Sequence, residues 1–168
     1  MSVADASDAV KQYQEQFLAS MPYETIEASR FVEPVAFGFT AEQATAISEL
    51  VLDRIKTATG SLLWSYQAER KVQPKAGDLW TVIDGNHKPV CVARTANVDI
   101  IPFDEVPEDY AQWGGEGDRT LASWRRMYWE YILVECKRIG REPSDKAPMI
   151  MERFAVVYDR PFDASLKP

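Results

Sequence analysis

The chain has 168 residues, 46% of them hydrophobic, and 26 Asp and Glu against 19 Lys and Arg give it a formal charge of −7. Five Trp, seven Tyr and seven Phe supply core for one folded domain, which excludes a disordered chain. The acid excess excludes a protein that coats duplex DNA through bulk electrostatics, because that mode replaces phosphate counterions with Lys and Arg.

From Ala4 to Ala19, Val10, Tyr13, Phe17 and Leu18 recur at helical spacing, and Met21-Pro22 ends the pattern. After an irregular stretch to Phe39, the capping-box string Thr40-Ala-Glu-Gln43 opens a helix through Ala44, Ile47, Leu50, Val51 and Ile55, which delivers Lys56 at its C-terminal end. Ser61 to Tyr66 reads as a short helix or turn. Leu79 to Ile83 and Pro89 to Thr95 flank Asp84-Gly85 and predict a hairpin, with a third strand from Val98 to Phe103. Pro107 to Tyr110 begins a short helix that Gly114-Gly-Glu-Gly-Asp118 breaks. Leu121, Trp124, Tyr128, Tyr131 and Val134 mark a long helix closed by Gly140, and Met149 to Tyr158 is a final strand. Strands without βαβ alternation argue for a small barrel or curled sheet with helices against it, in the α+β class.

Cys91 and Cys136 lack metal-ligand spacing, and His87 is the one histidine, so no His/Cys zinc site can form. No basic and apolar leader opens the sequence and no run of eighteen apolar residues occurs, so a cytoplasmic protein without a membrane span is expected.

Chemistry concentrates in two places. Lys56, Thr57, Thr59 and Ser61 place an ammonium and three hydroxyls at a helix end. One further helical turn would align Lys56 with Thr59, so that a partly buried amine could activate a hydroxyl, or both could hold a phosphate. The same residues equally fit a lysine that neutralises a helix C-terminus above a packed turn. Glu116 and Asp118 sit among permissive glycines, as a general acid or base or as carboxylates for a hydrated cation. Asp118 is equally placed to cap the helix that follows. Trp113 in this loop could cover a ligand, Tyr66 is a further candidate ligand contact, and Arg94 with Arg125 could line a positive cleft for phosphate. The residues Trp124, Tyr128 and Tyr131 read as core rather than as a base-stacking platform.

Taken in order, Phe37-Gly38, Arg54 to Leu63, Gly77 to Gly85, Ile101-Pro-Phe103, Gly115-Glu-Gly-Asp118, Leu121, Trp124-Arg125 and Glu152-Arg-Phe154 resemble the activating signal cointegrator homology (ASCH) family in its stand-alone bacterial form. The resemblance implies a PUA-like β-barrel surrounded by α-helices over residues 31–168, with residues 1–30 as a helical extension packed on it. It also implies a cleft between barrel and helices that takes single-stranded RNA or a modified nucleoside. In the ribonuclease form of the family, Lys56 would stabilise a phosphorane, with a hydroxyl or Mg²⁺-bound water assisting. In its amidohydrolase form, which deacetylates N4-acetylcytidine, Lys56 would activate Thr59 and Glu116 would pass a proton to the leaving nitrogen. A non-catalytic RNA or nucleotide binding module is the third reading. Many relatives read Glu-Gly-Glu-Gly-Asp where this chain reads Gly114-Gly-Glu-Gly-Asp118, which leaves Glu116 and position 114 as alternatives for the carboxylate.

Overall fold

The computed structural model describes residues 3–22 and 30–165. Among these lie five α-helices and a curled four-stranded antiparallel half-barrel, an α+β fold of the PUA-like kind. In chain order they are α1 (Val3–Ala19), α2 (Ala41–Leu52), β1 (Ala58–Leu62), α3 (Leu63–Glu69), β2 (Leu79–Ile83) and β3 (Pro89–Pro102). A 3-10 turn (Phe103–Glu105), α4 (Glu108–Gly114), α5 (Leu121–Ile139) and β4 (Pro148–Tyr158) follow. The strand order is β1-β4-β3-β2.

The chain divides into two compact units. The first comprises residues 1–54, 77–95 and 155–168. In it Tyr13 and Phe17 of α1 pack with Leu79 and Val92, as the spacing in the sequence predicts. Thr40 caps α2 by accepting the Gln43 N–H, and Gln43 Oε1 in turn accepts the Phe39 N–H at 2.8 Å. The hairpin joins β2 to β3, with Asp84 Oδ1 accepting the N–H groups of Asn86 and Lys88, both at 2.8 Å. His87 takes the positive φ of this loop, not Gly85. Gly85 is needed for proximity instead, since a Cβ there would lie 1.9 Å from the Ala41 carbonyl oxygen.

The second unit comprises residues 55–76 and 96–154. Leu62, Phe103, Trp124, Ile132, Met149 and Met151 fill its core. The helix expected to reach Ile55 stops at Leu52, where Asp53 and Arg54 close the last turn and Arg54 adopts φ +60°. Strand pairing then takes over: the Thr57 N–H donates to the Trp113 carbonyl at 2.7 Å, and the Phe154 N–H donates to the Thr57 carbonyl at 3.0 Å. β-Branched Thr57 and Thr59 favour that extended backbone. Lys56 therefore precedes a strand, and the helical pairing of Lys56 with Thr59 does not form, because Thr59 lies inside β1. Ser61 likewise belongs to β1, and the two strands expected at 89–95 and 98–103 are one continuous β3.

β1 lies at the edge of the sheet and its outer N–H groups have acceptors. Gly60 N–H donates to the Tyr128 hydroxyl at 2.9 Å and Leu62 N–H to the Tyr131 hydroxyl at 3.1 Å. The aromatic stripe of α5 is thus core on its rings and an edge cover on its oxygens. Where a Cβ on Gly60 would stand, the Tyr128 ring lies 2.9 Å away, so the glycine permits this approach.

Candidate functional site around Lys56 and Glu116

Lys56 is 1% exposed, and its ammonium donates to Glu116 Oε1 at 2.5 Å and to the Gly114 carbonyl at 3.3 Å. A buried ammonium persists only with such partners. The loop that supplies them is set by its glycines. Gly115 takes φ +73°, and a Cβ there would lie 2.8 Å from the Ile55 carbonyl oxygen, so only glycine lets the loop press against the residue before Lys56. Glu116, the carboxylate present in this chain, holds the lysine, and its side chain remains 22% exposed. The pair therefore joins a buried proton donor to a carboxylate that solvent or a ligand can reach.

The other expected residues divide. Thr59 and Ser61 share one face of β1, where their partners in β4 are Glu152 and Ile150. The Ser61 hydroxyl is buried without a hydrogen-bond partner among the described residues. Thr57 spends its backbone on Trp113 and Phe154. Tyr66 lies half-buried in α3. Asp118 accepts from the N–H and hydroxyl of Thr120 at 2.9 and 2.7 Å, and these bonds, the backbone one foremost, hold its carboxyl below the usual range. Thr120 is the N-cap of α5, so Asp118 supports the cap and does not form it. Arg125 reaches the Asp104 carbonyl at 2.9 Å, and Arg94 lies in the first unit opposite Leu79 in β2.

One residue of this neighbourhood went unnoticed as a candidate in the sequence. Arg153 of β4 stacks its guanidinium over the Trp113 ring, 3.7 Å from the centroid. Tyr110 meets the other side of this arrangement, edge-on to Trp113 at 5.3 Å and bonded to Asp99 at 3.0 Å. Burial first, and then Asp99, push the Tyr110 phenol up to about 12. The available signal was the charged pair Glu152-Arg153 inside the apolar run from Met149 to Val157, where a charge needs a reason.

Among the described residues no three His, Cys, Asp or Glu side chains gather as ligands, Glu116 is occupied by an ammonium, and Asp118 faces Thr120. No helix among the described residues is long and apolar enough to cross a membrane.

The ASCH domain family model matches residues 33–158. The crystal structure of an ASCH domain from Lactobacillus crispatus superposes with a TM-score of 0.86 at 29% identity, covering 90% of this chain and 95% of that one. The protein EF3133 from Enterococcus faecalis superposes with a TM-score of 0.76 at 26% identity, covering 90% of each chain. No curated protein matches. With its family model spanning most of the sequence and its fold shared along nearly the whole length of these structures, the chain belongs to the ASCH family, PUA-like domains for which RNA binding has been suggested.

Proposed function

We propose that this ASCH domain hydrolyses an acylated nucleoside of the kind found in RNA, with N4-acetylcytidine as its type, through the Lys56–Glu116 pair. The observation that carries this reading is that pair itself: a buried ammonium fixed on a carboxylate that is still accessible. Glu116 is the proton carrier and Lys56 positions it. Thr59 is the nucleophile that the family resemblance assigns. Its hydroxyl adds to the acyl carbon and gives its proton to Glu116. The tetrahedral adduct then expels the cytosine nitrogen, which takes that proton, and water hydrolyses the resulting acyl ester to free the acid and restore Thr59.

Cleavage of single-stranded RNA at the same pair is the second reading, favoured by the RNA binding suggested for the family. It is weaker on charge. A phosphorane needs an uncompensated cation at the reacting atoms, whereas the Lys56 ammonium already faces Glu116. Incubating the protein with N4-acetylcytidine and with labelled single-stranded RNA, each with Mg²⁺ or EDTA, separates the readings. The proposal expects cytidine and acetate in both conditions with intact RNA. RNA fragments without deacylation establish the second reading, and saturable binding without any product establishes a binding module.

A further inference from the structure

Among the described residues Arg153 is a cation without a counter-ion. The residue is half-buried, its guanidinium carbon lies 3.7 Å over the Trp113 ring centroid, its Nε is buried without a hydrogen-bond partner, and among the described residues no carboxylate pairs with it. Leaving a buried guanidinium N–H unpaired is costly, and a fold that needed only packing at this place would be served by an apolar side chain. The position is not remote from the chemistry. Arg153 pairs with Ala58 in β1, Trp113 holds the Thr57 N–H through its carbonyl, and the next residue, Gly114, accepts from the Lys56 ammonium. The contact with the indole holds the guanidinium in place while leaving N–H donors for an anion, and the guanidinium fork matches two oxygens of a phosphate.

We infer that Arg153, held by Trp113 on the Ala58 face of β1, is a phosphate-binding residue beside the Lys56–Glu116 loop, so that a nucleotide binds more tightly than the free nucleoside. The inference deepens the proposed function and rests on its site, but its test does not depend on turnover. The phosphate has two sources, a free nucleotide or the backbone of single-stranded RNA, and the experiment separates them.

Calorimetric titration of the full chain with cytidine, cytidine 5′-monophosphate and a tetranucleotide of single-stranded RNA reads the preference directly. The monophosphate is expected to bind at least about tenfold more tightly than cytidine, the scale of one charge-assisted hydrogen-bonded contact. Arg153→Gln should abolish that margin, Arg153→Lys should keep part of it, and Arg126→Gln, which removes an exposed charge from α5, should keep all of it. A thermal melt of each variant shows whether it is folded. If only the tetranucleotide binds and Arg153→Gln abolishes its binding, the phosphate is that of the RNA backbone. Equal binding of cytidine and its monophosphate, no binding of any phosphate-bearing probe, or a preference that survives in folded Arg153→Gln overturns the inference. Phosphate preference without deacylation would retain this inference and sink the hydrolase, while deacylation without phosphate preference would do the reverse.

Discussion

Lys56 and Glu116, sixty positions apart in sequence, meet at 2.5 Å, with the lysine buried and the glutamate at the border of solvent. The contact is long-range, so its removal has separable consequences for stability and chemistry. Glu116→Ala takes the counter-charge from a buried ammonium and should cost about 3 kcal/mol of stability, as breaking one side of a buried pair does. The double variant Lys56→Met, Glu116→Gln removes both charges and should recover most of that loss while remaining inactive. Urea unfolding midpoints of the three proteins check this; a double variant as unstable as Glu116→Ala would show that the cost is not electrostatic.

Gly115 controls the approach of this loop. Gly115→Ala places a Cβ against the Ile55 carbonyl oxygen and a side chain at positive φ, which should cost about 2 kcal/mol and shift Glu116 from Lys56. A Tm unchanged from the parent would contradict that steric argument.

The edge of the sheet gives a residue-specific prediction. Tyr128→Phe should speed amide exchange at Gly60, and Tyr131→Phe at Leu62, each losing about 1 kcal/mol of local protection. Hydrogen exchange read by NMR distinguishes the two sites, and uniform acceleration along β1 in either variant would contradict the pairing.

Acid should loosen the start of α5. The Asp118 carboxyl is held below its ordinary range in the folded chain by its bonds to Thr120, so its contribution is fully present above the unfolded value of about 3.9. It is lost as pH falls through the lower folded value. Exchange of the Thr120 amide should therefore accelerate relative to the rest of α5 below about pH 4, and this extra pH dependence should vanish in Asp118→Asn.

Periodicity and caps made most elements legible: α1, α5 with Gly140 at its end, the hairpin and β4 stand where their residue patterns place them. The sequence misled at residues 53–61. The apolar spacing through Ile55 fits a helix, and the bonds of Thr57 to Trp113 and Phe154 with the pairing of β1 to β4, all with residues distant in the chain, turn the segment into a strand. For the same reason the sequence pairs Lys56 with Thr59 and gives no sign that Glu116 holds its ammonium. Arg153 escaped notice because one arginine in a strand does not reveal that an indole from another element lies beneath it.

The most direct test of the account is the single-turnover release of acetate from N4-acetylcytidine, with enzyme in excess, by the wild type, Glu116→Gln and Thr59→Ala. The account predicts release by the wild type and a loss of at least about a hundredfold in each variant, the scale of a missing acid–base group. Release by folded Glu116→Gln at the wild-type rate, or none by the wild type, would contradict it.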